Sequence, residues 1–176
     1  GRTVDVWEKD FTKSPVWTNF GLNSQNKVDG VRQDTFYYYN NEQTQFANLE
    51  YREGIYSGYR FYETAYADAA DGDKEKAYEN VLYPFGYGQS YTEFEWALDK
   101  VTMDAKITSP DQEITVRAWV KNTGDVAGKD VVQVYYEAPY KNGGIEKSAA
   151  TLIGFGKTKL LQPGESDIVT VTFNAQ

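Results

Sequence analysis

Glu50 and Glu53, three positions apart and set among tyrosines in LEYREGIYSGY, form the carboxylate pair whose spacing first suggests chemistry. Retaining cleavage of a glycosidic bond uses two carboxyl groups about 5–5.5 Å apart, one as nucleophile and one as acid/base. A plainer reading accommodates both residues. Glu53 opens a short helix, where a carboxylate is favoured by the positive end of the dipole, and Glu50 pairs with Arg52 or with solvent. The chain has no histidine and no cysteine, which removes the Ser-His-Asp triad, imidazole-ligated zinc, thiolate metal sites and disulfides. Catalysis within this chain would have to rest on carboxylates, Tyr, Lys or Ser. DAADGD brings Asp68, Asp71 and Asp73 together as oxygen donors of the kind calcium prefers, but the spacing fits no complete EF-hand loop and lacks its closing bidentate Glu. No metal, no organic cofactor, and no catalytic or substrate-binding residue is therefore assigned.

The aromatic residues pose a second question. Trp7, Trp17, Trp96 and Trp119 stand beside fifteen tyrosines, and the stretch YPFGYGQSYTEFEW concentrates rings around two spaced glycines. Exposed rings serve as platforms for the apolar face of a sugar, with polar groups nearby for its hydroxyls. Rings of this size also fasten domain junctions, burying about 150–250 Å² each. Glycine favours the junction because it permits close backbone approach. The expected packing set is Tyr83, Phe85, Gly86, Tyr87, Gly88, Tyr91 and Trp96, joined by Tyr59 and by Arg60, whose guanidinium can stack on rings or clamp a carboxylate. A carbohydrate-binding or adhesion module would instead keep Trp96 and Trp119 exposed. The run TFYYYNN reads either as a loop reaching toward a cleft or as an edge strand on a neighbouring domain.

The elements that position these residues fall into two regimes. Over its first ninety-odd residues the 176-residue chain is irregular, rich in aromatics, Asn and Gln, and such long irregular segments rarely fold compactly alone. GRTVDVW reads as a strand already under way, so the chain is expected to be part of something longer. LEYREGIYSGYRFYETAY reads either as a short helix with Ile55, Tyr59 and Tyr62 on one face, which is the preferred reading, or as a strand on which Tyr56, Arg60 and Tyr62 alternate. AYADAADGDKEKAYEN reads as an exposed loop or fraying helical turn. From about Thr92 the pattern turns to period two. Strands are expected in TEFEWALDKV, over Glu113 to Asn122, over Asp130 to Glu137, over Thr151 to Leu161 and over Asp167 to Phe173. Within Glu113 to Asn122, Ile114, Val116, Ala118 and Val120 share one face. Gly124 and Gly128 in NTGDVAGKD are read as turn glycines free to take positive φ. The sum is a mainly β chain with a small antiparallel immunoglobulin-like or fibronectin-like sandwich. Such a sandwich has about seven strands, and the five read here leave an edge and part of the core for a continuation or a second chain to supply.

Net charge is −8, from 18 basic and 26 acidic residues. That balance argues against nucleic acid and anionic membranes as partners, since both need clustered positive charge. No run approaches the roughly 20 apolar residues of a membrane span.

Four blocks, EGIYSGYRFYET, YPFGYGQSYTEFEW, VKNTGDVAGKDVVQVYYEAP and LIGFGKTKLLQPGES, resemble in order and spacing the signature blocks of glycoside hydrolase family 3, the β-glucosidases and related exo-acting enzymes. The resemblance implies the tail of an α/β sandwich domain over residues 1–82, an aromatic junction over 83–98 and a fibronectin type III-like domain over 99–176 that lacks its last strands. It implies partners as well: a TIM-like barrel with an Asp nucleophile and the rest of the α/β sandwich domain with a Glu acid/base, in cis or as a separate chain. A β-glucoside would be bound through those domains. It assigns this chain none of the catalytic residues.

Overall fold

The computed structural model describes residues 1–15, 17 and 53–175, and the backbone of four short strands between 27 and 46. The expected pair Glu50 and Arg52 lies outside the described residues. The chain divides into two units, residues 2–87 with 146–148, and residues 88–145 with 149–176 and Gly1.

In the first unit the N-terminal segment runs antiparallel to residues 79–87. Only Trp7–Glu8 (β1) meets the geometry of a strand, paired with Val81–Tyr83 (β6). The rest of GRTVDVW is extended but held by scattered bonds, among them Thr3 N–H to Tyr87 O at 2.7 Å and Gly86 N–H to Thr3 O at 3.0 Å. Short hairpins join Lys27–Val28 (β2) to Val31–Arg32 (β3) and Thr35–Tyr39 (β4) to Glu42–Phe46 (β5), so TFYYY is a strand rather than a loop. Gly54–Tyr56 is one 3-10 turn, and Tyr59–Asp68 (α1) follows it. The expected helical face therefore starts at Tyr59, and Ile55 stays outside it, exposed. Gly58 makes the break, with φ +62 just before the helix, a region that costs glycine little. The polar run after Asp68 holds one more helical turn, Lys74–Ala77 (α2).

The second unit has the period-two strands at the expected places. Phe94–Thr102 (β7), Glu113–Asn122 (β8) and Ser166–Asn174 (β11) form one antiparallel sheet in the order β11-β8-β7. Val131–Tyr136 (β9) and Thr151–Lys157 (β10) form the other. Alternation sends Ala118 and Val120 of β8 and Val169 and Val171 of β11 inward, where they meet Val132 and Leu161. A Cβ on Gly154 or Gly156 would come within 2.5 Å of Val171 or Val169. Those two glycines let β10 lie directly against β11.

Gly124 and Gly128 do not take positive φ, which corrects the turn-glycine expectation. They are glycines because Thr92 presses on them: an added Cβ would lie 2.4 Å from Thr92 Oγ1 at Gly124 and 2.7 Å from Thr92 Cγ2 at Gly128. Thr92 is pulled in by Asn122, which is fully buried. Asn122 Oδ1 accepts from Thr92 Oγ1 at 2.7 Å and from Gly124 N–H at 3.1 Å, while Nδ2 donates to Val126 O at 2.8 Å and Leu161 O at 2.9 Å. All four hydrogen-bonding positions of the amide are filled.

Replacing Asn122 with Ala strands buried donors and acceptors that water cannot reach, each worth about 1–3 kcal/mol. Asn122→Ala should lower the unfolding free energy of the second unit by at least about 2 kcal/mol, read from denaturant midpoints. Thr172→Ala, on the outer face of β11, should stay within about 0.5 kcal/mol of the parent.

Candidate functional site

One cleft of the first unit, about 260 Å³ in volume, is lined by Asp5, Glu8, Ser14, Glu53, Tyr56 and Tyr62 among others. Tyr62 is the buried residue of α1, only 5% exposed, and its hydroxyl donates to the Glu8 carboxylate on β1. Removal from water and then that bond to a carboxylate push the Tyr62 hydroxyl well above the ordinary tyrosine range. Next to it, Tyr78 donates to Glu63 Oε1 at 2.5 Å. Tyr78 also meets Tyr62 and Tyr66 with ring centroids 6.4 and 5.7 Å apart. Asn80 fastens the N-terminal segment, accepting from Asp10 N–H at 3.0 Å and donating to Asp10 O at 2.9 Å.

Glu53 sits just before the 3-10 turn at Gly54, and its side chain makes no capping bond. Its Oε1 is buried without a hydrogen-bond partner among the described residues, as is Arg60 Nε. The expected helix-end role therefore reduces to position alone. Of the three carboxylates lining the cleft, Glu8 is committed to Tyr62, Asp5 Oδ1 accepts from Val6 N–H at 2.8 Å, and Glu53 Oε1 is the buried one. Asp71 and Asp73 are taken up by Lys74 at 3.6 Å and Lys76 at 2.6 Å.

Of the expected packing set, six residues come together in the first unit. Tyr59 packs on Phe85 with centroids 4.5 Å apart, and Arg60 lies 5.7 Å from the Tyr59 ring centre. Tyr83 stacks on Tyr87 at 4.7 Å. Between these pairs the chain turns at Pro84, closed by Tyr87 N–H to Pro84 O at 3.0 Å. Gly86, buried, has φ +77 at the third position of that turn, where a type II turn requires it. Gly88, Tyr91 and Trp96 belong to the second unit. Tyr91 is 98% and Trp96 64% exposed, and Trp119 is half-buried on β8.

Sequence reasoning missed Glu8, Tyr62 as a hydroxyl donor, Asn80, Thr92 and Asn122. Glu8 and Tyr62 are 54 positions apart, and no local pattern links them. The one available signal was the i, i+4 spacing of Tyr62 and Tyr66 on α1.

A model of the fibronectin type III-like domain matches residues 130–176. The chain is 42% identical over 134 residues to β-glucosidase A of Butyrivibrio fibrisolvens, covering 70% of this chain and 15% of that relative. It is 41% identical over 121 residues to a β-glucosidase of Ruminococcus albus, covering 69% of this chain and 11% of the relative. Among solved structures, a β-glucosidase from Paenibacillus barengoltzii superposes with a TM-score of 0.70 at 34% identity, over 99% of this chain and 15% of that one. β-Glucosidase 3B from Thermotoga neapolitana gives 0.64 at 33%, over 97% and 18%. The chain thus spans less than a fifth of the length of these relatives.

Tyr62 is held neutral by the fold, so its contribution to stability is complete below the ordinary tyrosine value of about 10 and falls as pH rises above it. Tyr62→Phe should lower stability near neutrality by about 1.5–3 kcal/mol, the range for a bond to a charged partner. It should also flatten the alkaline limb of a plot of denaturation midpoint against pH. An unchanged alkaline limb would show that another group sets it.

Proposed function

This chain belongs to glycoside hydrolase family 3 as a β-glucosidase-type segment with a fibronectin type III-like domain, and on that premise we propose that it is the scaffold and inter-domain brace of a β-glucosidase whose chemistry is done elsewhere. The parent reaction is removal of a terminal β-linked glucose with retention, through a covalent glycosyl-enzyme formed on a carboxylate. The partners are the TIM-like barrel and the remainder of the α/β sandwich domain, in cis or as a separate chain. Residues 1–82 are the tail of that sandwich domain, 83–98 the junction, and 99–176 the fibronectin-like domain. The observation that carries the brace is the pairing of Tyr59 with Phe85 and Tyr83 with Tyr87 about the Pro84–Tyr87 turn. Rings packed on each other stiffen a junction, whereas a sugar platform keeps its faces open.

The exposed apolar residues of β7 have a physical argument of their own. Residues directly opposite on paired strands share a face. Trp96, Leu98 and Val101 of β7 lie opposite Val120, Ala118 and Val116, so they point to the side on which the core lies, yet they are 64%, 64% and 46% exposed. β10 packs against β11, while this face of β7 is left for other polypeptide to cover.

A second reading is a carbohydrate-binding module, and the exposed Trp96 indole favours it. The two readings separate in solution. The purified chain should give no turnover of aryl β-glucosides, and turnover that survives rigorous purification would contradict the scaffold assignment. With β-glucan oligosaccharides, Trp96 fluorescence should not change. A saturable change abolished by Trp96→Ala would establish sugar binding instead.

A further inference from the structure

The connection between β9 and β10 carries a reactive sequence that the scaffold does not use. Lys141 to Gly144 form a turn closed by Gly144 N–H to Lys141 O at 2.8 Å, with all four residues exposed. Asn142 is the chain's one asparagine followed directly by glycine. Gly143 has φ +79 and no Cβ to shield its nitrogen, and a Cβ there would meet nothing within 4 Å. Neither the Asn142 carboxamide nor the Gly143 N–H has a hydrogen-bond partner among the described residues. Asn122 is the opposite case, buried, bonded at both ends of its amide and followed by Thr123. Asn80 is likewise held by the Asp10 backbone.

We propose that Asn142 is a self-modification site, converting to aspartate and isoaspartate through a cyclic imide formed with Gly143. The Gly143 nitrogen loses its proton and bonds to Asn142 Cγ. The bond from Cγ to Nδ2 breaks, and ammonia leaves with that proton. Water then opens the ring. Cleavage at Cγ yields aspartate, and cleavage at the main-chain carbonyl yields isoaspartate. The step needs only water. The product adds one negative charge to the −8 of the chain, and the isoaspartate form inserts an extra methylene into the backbone between β9 and β10. The turn lies outside the paired residues of those strands, so their register is retained.

The test is incubation of the folded chain at physiological temperature and mildly alkaline pH, with peptide mapping that separates aspartate from isoaspartate. A synthetic peptide spanning residues 139–146 gives the unprotected rate. The expected result is amide loss at Asn142 at a rate comparable to the peptide, with Asn122 and Asn80 intact and isoaspartate among the products. Gly143→Ala should slow the loss several-fold, and Asn142→Gln should abolish it without shifting the unfolding midpoint. A native rate an order of magnitude below the peptide's would overturn the proposal, because the turn would then be protecting the amide. Earlier loss at Asn122 or Asn80 would overturn it as well.

Discussion

The buried amide of Asn122 is the constraint on which the second unit depends. A primary amide in an apolar interior is tolerated only when both ends are engaged, and here it draws three chain segments to one point. Thr92 precedes β7, Gly124 and Val126 lie in the turn after β8, and Leu161 leads toward β11. Because Thr92 must reach the amide, the chain at 124 and 128 passes too close for a side chain. Two glycines and one threonine are thus consequences of one asparagine. Leu161 and Val120, both fully buried beside it, close the apolar shell that keeps water from competing.

The first unit is organised by a different kind of bond. Glu8 and Tyr62 join the N-terminal segment to α1 through a charged acceptor and a neutral donor. Asn80 joins that segment to the chain before β6. The rings of Tyr59, Phe85, Tyr83 and Tyr87 pack about the Pro84–Tyr87 turn, so rigidity comes from aromatic contact and a few long-range polar bonds rather than from a continuous sheet. That construction suits a brace, because a junction must hold its shape while presenting surface to neighbours.

Function follows from what is filled and what is left open. Among the described carboxylates of the first unit, Glu8 and Glu63 accept from tyrosines, Asp71 and Asp73 face lysines, and Glu53 Oε1 is buried. The apolar residues of β7 are the reverse: patterned for a core and not covered. An open apolar layer of that kind is the surface that the proposed scaffold role would present to other polypeptide.

The strands from residue 94 onward were legible because alternate side chains on a pleated strand point to opposite faces, so period two in the sequence reports the sheet directly. The ring pairs of the first unit were legible as a concentration of aromatics, and the family as four blocks in order. Charge and the absence of histidine and cysteine excluded whole classes of chemistry without any coordinates. Only the tertiary structure decided that Glu8 serves Tyr62, that Asn122 holds three segments together, that Gly124 and Gly128 answer to crowding and not to φ, and that Trp96 faces the core side yet stays exposed. Those facts depend on which distant residues meet. A local pattern records the direction a side chain points, while the partner it finds there is set by chain segments tens of residues away.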